Sequence, residues 1–157
     1  MSTYEISIKR VKPIRVCAVR DVVPTYGHVS ELFDRLFKEM GARGIAPTGP
    51  TMAIYYDREY TPQDVDAEAA VPVAAEELDA GEGCEIRDLP AYEEMATVLH
   101  RGPYDDFTPA YDALMKWIEE HGYRIIGPNR EHYLTGPEAG VEPDAYVTEI
   151  QFPVTQA

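Results

Sequence analysis

The chain contains itself twice, and this constrains its fold more than any other feature, because a segment repeated in tandem folds as one unit made twice. Tyr26 through Asp57 aligns without a gap onto Tyr104 through Thr135. Eight of these 32 positions are identical: Tyr26/Tyr104, Asp34/Asp112, Leu36/Leu114, Lys38/Lys116, Gly44/Gly122, Gly49/Gly127, Pro50/Pro128 and Tyr55/Tyr133. With three residues inserted in the second copy, Glu68 to Val73 then matches Glu149 to Val154.

Each copy is locally readable. Val29, Leu32, Phe33, Leu36, Phe37 and Met40 recur at the spacing of a helix with one buried face, and Phe107, Ala110, Tyr111, Leu114, Trp117 and Ile118 repeat that stripe. Thr108-Pro109 suits a cap and first turn, while Gly41, Gly44 and Gly122 suit helix exits, so helices are expected near residues 28–41 and 106–121. β-rich runs precede them at Arg15 to Arg20 and Met95 to His100. Gly-Pro turns then lead into strands at Met52 to Tyr56 and Arg130 to Leu134.

Each copy thus reads β-α-β-β, with further strands near Tyr4 to Val11 and Glu82 to Asp88 joining a mainly antiparallel sheet. The expected fold class is α+β, a pseudo-twofold tandem repeat with two long helices. Residues 1–157 form one domain, with repeat one at about 4–73 and repeat two at about 82–154. The acidic, non-periodic stretch from Ala74 to Gly83 reads as their connection. Neither copy buries itself alone, so the halves are expected to share a core, with a small-molecule pocket where they meet.

Composition narrows the function. Against 14 basic side chains stand 28 acidic ones, a net charge of −14. That balance repels phosphate backbones, which disfavours direct nucleic-acid binding, and it draws cations toward any concave site. Most of the acidity is read as solvated surface. No apolar run approaches the roughly 20 residues of a membrane span. The first residues lack a secretory pattern, so a cytoplasmic protein with Cys17 and Cys84 as reduced thiols is expected. His28, His100, His121 and His132 form no metal-binding spacing, and no phosphate-binding glycine motif is present, so neither a metal nor a nucleotide cofactor is expected.

A duplicated chain supplies its own control, because positions alike in both copies serve the fold and a chemical difference points to a ligand. Glu68 and Glu149 match, which assigns them one shared structural or surface role, and Asp34 and Asp112 match on the outer helix faces. Glu131 instead aligns with Ala53, in mid-strand, where a carboxylate is disfavoured by propensity and costly if buried unpaired. Strand alternation points Glu131 and Tyr133 the same way, as it does Ala53 and Tyr55. One carboxylate with two tyrosines, and a small residue opposite that leaves room, suits a flat or lipophilic cation. Tyr26, Tyr104, Phe107 and Tyr146 are further wall or rim candidates. The residues alone leave open a plainer arrangement, with Glu131 on an exposed face beside Arg130 and the tyrosines as ordinary aromatics.

Several segments occur in a familiar order: Tyr55-Tyr56-Asp57, the turn His100-Arg101-Gly102-Pro103-Tyr104, Gly127 to Leu134, and Thr148 to Val154. Together, over essentially the whole chain, they resemble the gyrase-inhibitor-like (GyrI-like) small-molecule-binding family, which includes the effector-binding domain of multidrug-responsive transcription activators. The resemblance implies a central pocket whose glutamate meets cationic or lipophilic ligands and falls on Glu131. Its aromatic lining carries over to Phe107, Tyr133 and Tyr146, and also to Tyr55 and Tyr104. A helix-turn-helix segment like that of the activators is not expected in this sequence, so their direct promoter contact is not carried over, and Tyr92 stands where the family often has glycine.

Three functions follow as expectations. The first is a stand-alone module that senses or sequesters a cationic or lipophilic aromatic compound. The second, implied by some relatives, is a hydrolase of cyclopropane-containing genotoxins, with Glu131 working on water and Tyr133 or Tyr55 donating to developing charge. The third, also implied by relatives, is an inhibitor that binds a protein partner such as gyrase or a separate regulator.

Overall fold

A computed structural model describes residues 4–57, 63–74, 84–104 and 107–157. In chain order the elements are β1 (Ile6–Val11), β2 (Ile14–Val23), α1 (Val29–Arg43), β3 (Met52–Tyr55), β4 (Val65–Pro72), β5 (Glu85–Leu89), β6 (Tyr92–Arg101), α2 (Thr108–Glu120), β7 (Tyr123–Ile125), β8 (Asn129–Thr135) and β9 (Val147–Gln156). This is the expected α+β class. Beyond Ala74 the expected connection between copies lies outside the described residues, as does the start of the second helix at Asp106.

The chain divides into two compact units, Lys12–Ala91 and Met1–Val11 with Tyr92–Ala157. In the first, the strand order is β3-β4-β2-β5, with Ala53 opposite Ala69 and Tyr55 opposite Ala67. In the second, the order is β1-β6-β9-β8, with Glu131 opposite Ile150 and Tyr133 opposite Thr148, and β7 also pairs with β9. All of these pairings are antiparallel. The registers agree with the sequence repeat, since Tyr55/Ala67 and Tyr133/Thr148 are the same aligned pair.

The units depart from the repeat boundaries at their first strands. β1, placed with the first copy, pairs with β6 of the second, and β5, placed with the second copy, pairs with β2 of the first. Two-residue links, Lys12-Pro13 and Pro90-Ala91, join β1 to β2 and β5 to β6. Each link contains a proline, whose fixed negative φ does not fit the positive-φ type I′ turn common in two-residue hairpins. Neither link therefore closes a hairpin, and each strand finds its partner elsewhere.

The helices bury narrower stripes than expected. α1 buries Val29, Leu32, Leu36 and Met40, while Phe33 is only half-buried and Phe37 stays exposed. It also runs through Gly41 and stops at Gly44. α2 lays Ala110, Leu114 and Ile118 on Ala96, Val98, Ile150 and Val154, with Tyr111, Trp117 and Phe107 packed at the margin. Each buried large aliphatic chain there contributes about 1.5–3 kcal/mol. Thr108 and Pro109 occupy the first helical turn, with Phe107 rather than Thr108 at the cap. Asp34 and Asp112 are exposed, as expected. No described helix is long and apolar enough to cross a membrane.

Candidate ligand-binding site

Because β6, β9 and β8 are in register, their side chains form rows across the second unit. His100, Thr148 and Tyr133 make one row, and Val98, Ile150 and Glu131 make the next. Side chains two apart on a strand share a face, so both rows lie on the face that α2 covers.

Glu131 is 6% exposed. Its Oε1 accepts a hydrogen bond from the Tyr133 hydroxyl at 2.7 Å, and its Oε2 accepts one from the hydroxyl of Tyr111 on α2. Asn129 Nδ2 in turn donates to the Tyr111 hydroxyl at 3.0 Å. Among the described residues no lysine, arginine or histidine pairs with Glu131. Burial pushes the carboxyl above the ordinary carboxylate range, and the two phenol donors pull it part of the way back.

An aromatic group stands beside this acid. Tyr104 lies 5.2 Å from Tyr133 between ring centroids, stacks on Tyr146 at 5.0 Å and 29°, and meets Phe107 at 6.0 Å. Phe107 also meets the His100 ring edge-on at 4.8 Å and 83°. The loops holding these rings depend on two glycines. Gly102 has φ 124, which a side chain rarely adopts, and its N–H donates to the Tyr146 carbonyl at 2.9 Å. At Gly136 a β-carbon would collide with the Tyr104 hydroxyl. His100 Nε2 donates to the Pro103 carbonyl at 3.1 Å, which fixes that imidazole. Burial, followed by the nearby Glu138 and Tyr146, raises the Tyr104 hydroxyl to about 12.

Of the residues singled out in the sequence, Glu131, Tyr133, Tyr104, Phe107 and Tyr146 belong to this unit. Tyr55 belongs to the other, where its ring packs on Tyr26 at 5.6 Å. Sequence reasoning placed Tyr111 in the core stripe and passed over Asn129 and Thr148. The repeat carried the missing signal: Tyr111 aligns with Phe33 and Thr148 with Ala67, so each hydroxyl, like the Glu131 carboxylate, occurs in one copy alone. Tyr92, the departure from the family pattern, opens β6 and lies under the Arg130 guanidinium at 5.4 Å from its centroid.

The first unit handles its buried acid differently. Glu68, 2% exposed, pairs with the Arg87 guanidinium and accepts from the Tyr56 hydroxyl, to which Arg87 also donates at 2.8 Å. Its counterpart Glu149 pairs with Lys9 at 2.7 Å and accepts from Gln151 at 2.6 Å. The role shared by these two glutamates is a buried carboxylate paired with a partly exposed cation on the edge strand of each unit. Two open grooves, of about 530 and 490 Å³, lie in the first unit, and Glu131 lines neither. No described cluster of His, Cys, Asp or Glu could hold a metal ion.

Comparison with known proteins agrees with this architecture. The crystal structure of the EcmrR C-terminal domain superposes with a TM-score of 0.90 at 30% identity, covering 99% of this chain and all of that one. An EcmrR–DNA complex superposes with a TM-score of 0.88 at 29% identity, and there the match covers 98% of this chain and 58% of the EcmrR chain. SAV2435 bound to tetraphenylphosphonium shares the fold at 12% identity, with a TM-score of 0.67 and coverage of 96% and 94%. A search of curated protein sequences finds no match. The model of the GyrI-like small molecule binding domain matches residues 4–155, and the chain belongs to that family.

Proposed function

We propose that this chain binds organic cations with aromatic bodies and that Glu131 supplies their counter-charge. One observation carries the reading: a buried carboxylate is held by two phenol hydroxyls and by no cation of the described residues. Such a group is costly in isolation and is compensated when a ligand brings the missing positive charge. Tyr104, Tyr133, Tyr146 and Phe107 then provide apolar area and negative ring faces for the rest of the ligand. Likeness to EcmrR, solved in complex with DNA, supports placing this binding event upstream of transcription. Because Glu131 is closed over by Tyr111 and Tyr133, a ligand reaches it by displacing a tyrosine hydroxyl or by parting the aromatic rings.

The hydrolytic alternative gains no observation of its own.

The test is calorimetric titration with tetraphenylphosphonium and with neutral triphenylphosphine oxide. Glu131→Gln is expected to weaken the phosphonium by tenfold or more, on the scale of about 1.4 kcal/mol per decade, and to leave the neutral compound nearly unchanged. Equal losses for the two compounds would falsify the charge-pairing mechanism. The pH dependence has a definite sign. The folded carboxyl titrates above its ordinary range, so cation affinity rises as pH climbs through that raised value and levels off above it. The glutamine variant abolishes the slope.

A further inference from the structure

Of the three buried side-chain polar atoms that have no hydrogen-bond partner among the described residues, one lies on the sheet face that carries Glu131. Thr148 is fully buried, and its Oγ1 has no hydrogen-bond partner among the described residues. It lies in the row between His100 and Tyr133, and both neighbours are already committed: His100 Nε2 to the Pro103 carbonyl and the Tyr133 hydroxyl to Glu131. A buried hydroxyl without a partner is destabilising, so its presence calls for a physical reason.

The architecture does not supply that reason. The aligned residue of the other copy is Ala67, fully buried and opposite Tyr55 just as Thr148 is opposite Tyr133. A methyl at this register therefore meets the needs of the fold. Valine would match the shape and the strand preference of threonine without the polar atom. The hydroxyl also keeps company with the other one-copy groups, since Glu131 is on the neighbouring strand in the adjacent row and Tyr133 is directly opposite.

We infer that the Thr148 hydroxyl is a ligand-contacting group, so that the site takes organic cations that also carry a hydrogen-bonding oxygen or nitrogen away from their charge. This rests on the reading of Glu131 as the cation anchor. Thr148 and Glu131 are diagonal neighbours on adjacent strands, a relation that spans about 7–8 Å and sets the scale between the two ligand groups. A purely hydrocarbon cation satisfies Glu131 and leaves Thr148 orphaned, whereas a cation bearing a hydroxyl, ether, carbonyl or amide satisfies both.

The experiment compares two phosphonium ions of one charge and nearly one shape, [4-(hydroxymethyl)phenyl]triphenylphosphonium and (4-ethylphenyl)triphenylphosphonium, together with their 3-substituted isomers. The better hydroxymethyl isomer is expected to bind the unaltered protein about three- to tenfold more tightly than its ethyl partner. Thr148→Val is expected to erase that preference and leave the ethyl compounds within about twofold, whereas Thr148→Ser keeps the preference. The valine variant should melt at the same temperature or higher, because it removes an unpaired buried hydroxyl.

Ethyl compounds that bind through Glu131 with no hydroxymethyl preference would overturn the Thr148 assignment alone. So would a preference that survives Thr148→Val. A melting temperature lowered by more than about 4 °C in that variant would show that the hydroxyl serves the fold, and would overturn the assignment without any ligand. Failure of every phosphonium to bind the unaltered protein would overturn the reading of Glu131, and this inference with it.

Discussion

Glu68 and Glu131 are both buried strand glutamates in units built to one plan, and they are compensated in opposite ways. Glu68 has a guanidinium from its own unit, Arg87, together with a phenol. Glu131 has two phenols, and no cation of the described residues pairs with it. A tyrosine hydroxyl offers a dipole where an arginine offers a full charge, so the first acid is internally balanced and the second is only partly so. On the proposed reading of Glu131, burial alone does not separate a structural acid from a binding acid, and the source of the counter-charge does.

The strongest test of this contrast is to place an acid in the unit that lacks the hydroxyls. Ala53→Glu puts a carboxylate at the position aligned with Glu131, where Phe33 and Ala67 replace Tyr111 and Thr148. It is expected to cost about 3–5 kcal/mol. Melting should fall by about 10 °C, and adding Phe33→Tyr should recover part of the loss. If Ala53→Glu melts like the unaltered protein, the hydroxyl set around Glu131 has no special importance.

Next in size is Glu68→Gln, which leaves the Arg87 guanidinium without its carboxylate. A loss of about 2 kcal/mol, read as a shift in the urea midpoint, is expected. Tyr111→Phe removes one donor from Glu131 and should cost about 1 kcal/mol. The same change raises the carboxyl further, so the pH at which cation affinity levels off moves upward. An unmoved midpoint in that titration would show that the Tyr111 bond is not formed in solution.

Glu131→Gln has the smallest expected effect on stability, and of the opposite sign. The folded carboxyl binds its proton more tightly than the unfolded one, so its penalty grows as pH rises from the ordinary carboxylate value through the raised one, and is then constant. At neutral pH the variant should therefore melt slightly higher, by about 1–3 °C. A drop comparable to that of Glu68→Gln would erase the distinction between the two acids.

The repeat made most of the fold legible, because period, glycine-proline turns and alternation are local signals. The strand exchange was not legible, since β1 and β5 are adjacent in sequence to strands they do not pair with. The candidate site was legible where a charge broke the repeat, as at Glu131 against Ala53. It was missed where the change was a single oxygen on an unchanged shape, as at Tyr111 against Phe33, because hydrophobic periodicity treats both as core. Thr148 escaped for a related reason: threonine is at home in any strand, and only the register shows that its hydroxyl is stranded.

The exchanged strands affect how this chain reaches its native state during synthesis. Residues 12–91 emerge as a complete unit, with β5 already present to cover β2. The site-bearing unit cannot close until β6 has been made, because its edge strand, β1, left the ribosome more than eighty residues earlier and waits unpaired. Until then β1 is an open sheet edge, exposed to pairing with other chains. Severing the chain between its two copies would leave β6 without that strand, so the unit carrying Glu131 should not be recoverable as a contiguous C-terminal fragment.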